Sequence, residues 1–185
     1  MKKERSKQSA KPKKPRRPEI EICAKGEFIK PFKAKDGSIG YDLAVGEDVH
    51  VPARSRFLIP LNFAINLPKD VEAKIEARSG FSLRGVEGYG VRKVRCKRFG
   101  IFPYWRKTDG KQNFDADVLS GKIDPGYKDS VCVIINNHDE AFVIRKGTRL
   151  AQMTFYRVMS PKLIEVEKLG GNDSGGGIGS IGTTI

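Results

Sequence analysis

Between residues 20 and 158, apolar side chains alternate with polar ones in nine short runs, and glycine, proline, aspartate or asparagine recurs between them. The runs are IEIC, YDLAV, VHVP, RFLIPL, FAINL, EAKIEA, SVCVII, AFVIR and LAQMTFYRV. A period of two places every second side chain on one face of an extended strand, and β-branched and aromatic residues fill such a pleated surface well. Turn residues at short intervals then fold each strand back on its neighbours. No stretch carries sustained helical spacing between a capping residue and a stop signal. The expected fold class is therefore all-β, a barrel or sandwich built from many short strands. With 185 residues the chain is long enough for one domain with its own core and some extensions.

The formal net charge of +13 is unevenly placed. Residues 1–19 hold nine Lys and Arg against Glu4 and Glu19, and residues 87–117 hold eight against four acids. What remains is nearly balanced, so the basicity belongs to two appendages and says little about the core. Residues 1–19 are too polar to offset their ordering entropy and are expected to form a disordered basic arm. Its composition suits nuclear localisation or nucleic-acid binding, and a solubilising tail equally. Residues 20–170 are expected to form the β domain, interrupted at about 87–117. Residues 171–185 are glycine-rich and expected to be mobile.

No apolar run approaches the ~18 to 20 residues that cross a bilayer, and the start of the chain lacks the apolar core of a secretory signal. A soluble, cytoplasmic protein with no membrane partner is expected, nuclear if the source is eukaryotic or viral. Cys23, Cys96 and Cys132 are far apart and in no Cys-x-x-Cys pattern, so they read as reduced thiols and not as zinc ligands. His50 and His138 lack the partners that metal ligation or a catalytic triad needs.

Five short stretches carry chemistry. In GKIDPGYKD, residues 121–129, turn chemistry explains Pro125 and Gly126 but not the acid Asp124 between them and Ile123. In ARSGFSLRG, residues 77–85, Arg78 can neutralise phosphate oxygens, Ser79 can donate hydrogen bonds, and Gly80 lets the main chain approach closely. As an isolated tripeptide, Arg78 to Gly80 would more often be a plain turn. GYDLAV at 40–45, KGTRLAQM at 146–153 and GGIGSIG at 176–182 complete the set. In this order they resemble the motifs of the trimeric dUTPase family, the deoxyuridine triphosphate nucleotidohydrolases, over about residues 20–182.

The resemblance implies a jelly-roll-like β-clip barrel whose three copies share three active sites and split dUTP to dUMP and pyrophosphate with Mg2+. Asp124 would orient and deprotonate the attacking water, and Tyr127 would lie against the sugar as a steric filter for deoxyribose. Uracil would be read by main-chain groups of the hairpin from about Val118 to Tyr127, with Gly121 and Ile123 among them. Arg78, Ser79, Gly80 and Gln152 would contact phosphates, with Arg149 structural or at a subunit boundary. Asp42 would assist catalysis and help hold Mg2+ through its water shell, as suits an ion that keeps several waters. Ile178, Gly179 and Ser180 would cover the nucleotide.

The match fails in three places. Ile178 stands where the family has an aromatic residue and Asp173 where it has an arginine, which implies a weaker lid; Asp129 stands where glycine is usual. Arg84 and Asp117 would normally be joined by a few residues, so 87–117 is an insertion. Its basic residues interleave with Tyr89, Phe99, Phe102, Tyr104 and Trp105. It is read first as a loop packed over the barrel, then as a cover for substrate, then as a grip for single-stranded nucleic acid. Two rivals remain. A dCTP deaminase shares the Ile-Asp-Pro-Gly-aromatic stretch but needs a glutamate where this chain has Ile134. A non-catalytic, nucleic-acid-binding module would have no need for Asp42, Arg78, Ser79, Asp124, Tyr127 and Gln152 together.

Overall fold

A computed structural model describes residues 18–98 and 101–171. In chain order its strands are β1 (Glu21–Ala24), β2 (Tyr41–Ala44), β3 (Val49–Val51), β4 (Arg56–Pro60), β5 (Phe63–Asn66) and β6 (Val71–Ala77), followed by the helix α1 (Ser79–Arg84). Then come β7 (Val86–Tyr89), β8 (Arg92–Arg98), β9 (Phe102–Thr108), β10 (Lys111–Phe114), β11 (Ala116–Leu119) and β12 (Gly121–Ile123). The last three are β13 (Cys132–Asn137), β14 (Phe142–Ile144) and β15 (Arg149–Arg157).

All nine alternating runs are strands, and they are distributed over small antiparallel sheets. Two of these have four strands, ordered β12-β6-β15-β2 and β10-β7-β14-β3, and one has three, β11-β13-β4. β1 pairs with β5, and β8 with β9. The inward side chains of the larger sheets form one core. Leu43, Val51, Ile59, Phe63, Ile135, Phe142 and Leu150 are fully buried in it, each contributing about 1.5–3 kcal/mol relative to exposure. Phe114 and Phe142 stack with ring centroids 4.3 Å apart.

Two expectations are corrected. One helix is present where no stretch reads as helical: Arg78, in the stretch expected to contact phosphates, is the N-cap of α1, and the helix continues to Arg84. A six-residue helix has too few turns for a readable apolar period. The insertion is also not a loop packed over the barrel. β7 and β10 pair with each other within the body, Val86 opposite Phe114, and β11 pairs with β13. The true excursion is residues 90–110, an antiparallel ribbon in register from Arg92 opposite Thr108 to Arg98 opposite Phe102. Trp105 on it is 68% exposed. Basic residues and apolar or aromatic ones fall on both faces of the ribbon, so neither reads as a core face.

Residues 1–17 of the expected arm, and the tail residues Ile178, Gly179 and Ser180, lie outside the described residues. No helix among the described residues is long and apolar enough to cross a membrane.

Candidate functional site

The sheet β12-β6-β15-β2 carries four of the five sequence stretches. Asp42 on β2 stands opposite Gln152 on β15, and Gln152 stands opposite Glu76 on β6. Cross-strand partners share a face, so motif one and motif four present their polar side chains together. β6 ends at Ala77, and Arg78 follows with extended backbone (φ −77, ψ 139) before the chain turns into α1. A β-bulge between Arg149 and Ala151 shifts the register of β15 against β2. Bulges re-aim side chains, and here Arg149 lines the same cavity as Gln152 although the two are three positions apart. That cavity, about 980 Å³, is lined by Asp42, Arg78, Ser79, Gly80, Arg149 and Gln152.

Asp42 is buried at the base of this cavity. Its Oδ1 lies 3.3 Å from Nε of Arg78 and its Oδ2 accepts from Nη1 of Arg149 at 3.1 Å. Arg78 Nη1 also donates to the carbonyl of Arg149 at 3.3 Å, and its guanidinium lies 5.9 Å from the ring centre of Phe81. The two guanidiniums are thereby held before any ligand arrives. Lys35 and Arg84 add cations to the rim against Glu87. With Ser79 and Gly80 opening the helix, their amides have no intrahelical acceptor. A concave, cation-rich site with hydroxyl, amide and carboxamide donors is suited to a chain of phosphates.

Among the described residues no group of three or more His, Cys, Asp or Glu converges as a metal cage. Asp42 is the one carboxylate at the cavity base, and both of its oxygens already face arginine. That donor set fits Mg2+ only through the water shell the ion keeps, beside ligand phosphates.

Motif three lies elsewhere. β11 and β13 form a hairpin whose last pair is Leu119 with Ile134, and its long connection holds β12, which pairs with β6. β12 is an edge strand, so one row of its backbone groups faces outward. Beyond Ile123 the chain makes a turn in which Tyr127 N–H donates to the carbonyl of Asp124 at 3.2 Å and Gly126 has φ +94. Proline at the second and positive-φ glycine at the third position make this a type II turn. The Asp124 carboxylate is exposed and has no hydrogen-bond or ionic partner among the described residues. Tyr127 donates its hydroxyl to the carbonyl of Ser130 at 3.1 Å. Desolvation first, then the neighbouring Cys132 and Asp129, hold its pKa above the ordinary 10.0.

Gly121, Ile123 and Tyr127 line a separate hollow of about 190 Å³ with Leu58, Val131 and Ile134. Lys122 and Cys132 line it too, and Ile134 stands at the position where a deaminase is expected to carry a glutamate. Ile123 pairs with Ala73, five residues before Arg78, so ~16 Å of β6 separates the two halves at ~3.3 Å per residue. Asp42, Arg78, Ser79, Gly80 and Gln152 come together in one chain; Asp124, Gly121, Ile123 and Tyr127 form a second group.

Sequence reasoning missed Arg149 as a cavity residue, along with Lys35, Arg84, Thr148 and Tyr156. The signal for Arg149 is within KGTRLAQM itself, an arginine three positions before Gln152, but its orientation depends on a bulge that alternation does not reveal. Lys35 and Arg84 carried no comparable signal.

The dUTPase family model matches residues 27–99. The deoxyuridine 5'-triphosphate nucleotidohydrolase of Fowl adenovirus A serotype 1 is 33% identical over 156 residues, which cover 83% of this chain and 71% of the relative. That of Arabidopsis thaliana is 32% identical, covering 82% and 75%. Among solved structures, the Staphylococcus bacteriophage 80alpha dUTPase with dUPNHPP superposes with a TM-score of 0.68 at 18% identity, covering 89% of this chain and 98% of that one. A mutant dUTPase from phage phi11 of S. aureus, solved with a structural Mg(II) ion, gives 0.62 at 17% identity, covering 82% and 99%. The structural likeness is one of fold, and the sequence relatives carry the assignment: this chain belongs to the dUTPase family.

Proposed function

We propose that the chain is a dUTP diphosphatase that hydrolyses dUTP to dUMP and pyrophosphate with Mg2+, working as a homotrimer. One observation supports this reading: a single sheet holds a preformed, two-arginine cavity at one end of β6 and the Asp124–Tyr127 turn at the other. The triphosphate lies in the cavity, where Arg78 and Arg149 neutralise its oxygens and Ser79 and Gln152 donate to them. Asp42 keeps both guanidiniums in place and would hold Mg2+ through the ion's water shell. Bound Mg2+ supplies further charge neutralisation on the phosphates. Asp124 accepts a proton from a water aimed at phosphorus, a contribution of about 10²- to 10⁴-fold for a positioned base. Tyr127 packs against the deoxyribose, and the outward backbone of β12, around Gly121 and Ile123, reads the base.

The separation of the two halves is the reason for a multi-copy site. Asp124 of one copy serves the phosphate cavity of another. Met159, Leu163, Ile164, Val166 and Leu169, in the extended segment after β15, are all more than half exposed in the single chain. An apolar row of that kind marks a surface that another copy covers. The tail residues Ile178, Gly179 and Ser180 then close over the nucleotide, with apolar contact from Ile178 in place of ring stacking. A soluble nucleotide substrate puts the working enzyme in the cytoplasm, or in the nucleus of a eukaryotic or virus-infected cell.

The test is pyrophosphate release from dUTP, dCTP, dTTP and UTP with Mg2+, beside Asp124→Asn. Selective cleavage of dUTP that Asp124→Asn abolishes supports the assignment. Ammonia release from dCTP, or folded protein that cleaves none of the four, overturns it.

A further inference from the structure

The β8-β9 ribbon plays no part in the site above, and one of its faces is distinctive. Register pairs Lys93 with Lys107, Arg95 with Trp105 and Lys97 with Pro103, so these six side chains share one face. All six are exposed, Trp105 at 68%. Four are cations, and among the described residues none of the four has a carboxylate partner. By contrast, cations at the ribbon's root are paired: Arg92 with Asp139, and Lys111 with Glu87. Like charges set directly opposite each other, as Lys93 and Lys107 are, destabilise a β pair. The cost is offset when a polyanion lies across them. Trp105 stands between the cations with its ring open to solvent, at a cleft that it lines with Lys93, Arg54, Asp139 and Glu140, where Asp139 is already paired with Arg92. An exposed indole beside a row of cations gives an unstacked base a platform and its backbone a set of counter-charges.

We propose that this face of the ribbon binds single-stranded nucleic acid, with Trp105 stacking on a base and Lys93, Arg95, Lys97 and Lys107 contacting phosphates. Bases in a duplex are already stacked, so Trp105 selects the single strand. The inference is independent of the nucleotide chemistry, and the ribbon carries no residue of the phosphate cavity.

Trp105 is the only tryptophan in the chain, so its emission reports on the ribbon alone. The experiment titrates the full-length protein with a labelled oligothymidylate of about 20 nucleotides, longer than the ~4–16 that one single-strand-binding fold covers. Anisotropy and tryptophan emission are read together. The expected result is binding with quenched Trp105 emission, and a log-log salt slope near −3 for about four phosphate contacts at ~0.7 each. Trp105→Ala should weaken binding about 5- to 150-fold, and Lys93→Gln with Lys107→Gln should reduce the slope by about 1.4. Hydrolysis of dUTP by the variants checks that they are folded. Binding that leaves Trp105 emission unchanged places the site elsewhere, for example on the basic arm, and overturns the proposal. Tighter binding of a duplex of equal length, or quenching by anionic phospholipid vesicles and not by the oligonucleotide, overturns it too.

Discussion

Arg149 donates from Nη1 to Oδ2 of Asp42 across 3.1 Å, although the two residues are 107 positions apart in the chain. The opposite oxygen of Asp42 faces Arg78. One buried carboxylate thus holds two cations at the base of a cavity, and the cavity is built for anions because of it. In consequence Asp42 suits a metal only through the water shell that the ion keeps.

Replacing that carboxylate separates its two roles. Asp42→Asn should leave Arg78 and Arg149 without a counter-charge and cost about 1–3 kcal/mol, which for a chain of this size lowers Tm by ~2–4 °C per kcal/mol. If Asp42 also contacts hydrated Mg2+, the gain in dUpNHpp affinity on adding Mg2+ should fall in the variant, while affinity in chelator stays the same or rises as the arginines are released. Calorimetric titration with and without Mg2+ measures both. An unchanged Mg2+-dependent gain would leave Asp42 with only its arginine-holding role.

The ~16 Å of β6 between the pairing of Ile123 and Arg78 leads to a sharper expectation. Arg78→Ala and Asp124→Asn should each be inactive alone. Co-expressed at equal amounts and randomly assembled, they should regain activity in about a quarter of the sites, those drawing an intact Asp124 and an intact Arg78 from different copies. A site contained in one chain would regain none.

Tyr127 has an exposed ring and a hydroxyl engaged with its own loop. Tyr127→Phe should therefore keep discrimination between dUTP and UTP, and Tyr127→Ala should lose it through a rise in kcat/KM for UTP. The raised pKa of Tyr127 has a defined sign: the neutral phenol is favoured in the folded state, so any contribution to stability is full below pH 10 and is lost as pH rises through the higher folded value. Wild type and Tyr127→Phe should then show the same pH–rate profile up to pH 10. An alkaline limb that moves in the phenylalanine variant would place the hydroxyl in the reaction.

How far the fold could be read from the sequence follows from which forces wrote it. Core strands such as Val71–Ala77 alternate buried and part-exposed residues, because one face must pack and the other need not; that period is visible in the letters. Asp42, Arg78 and Gln152 were found through short motifs and do converge. Arg149 was assigned away from the site because a bulge, which has no compositional signature, turns it inward. The ribbon reads as a packed loop for the opposite reason: Arg92–Arg98 and Phe102–Thr108 form strands, but among the described residues they pair only with each other. Basic and aromatic residues fall on both of its faces, so no apolar period marks a core side. The distance between Asp124 and Arg78 was also hidden, since motif order says nothing of which end of a strand each motif occupies.

The turn that presents Asp124 offers the last expectation. Gly126 holds φ +94, with open space around the position a Cβ would take, so any penalty for a side chain there comes from the backbone and not from a clash. Gly126→Ala should cost about 1 kcal/mol in stability, and more in kcat than that figure implies, because relaxing φ swings Asp124 relative to Tyr127. Asn tolerates positive φ better than Ala, so Gly126→Asn should recover part of the lost rate despite its larger side chain. Steady-state kinetics and thermal unfolding of the two variants provide the comparison. Equal rates for alanine and asparagine would show that the turn's geometry does not set the position of Asp124.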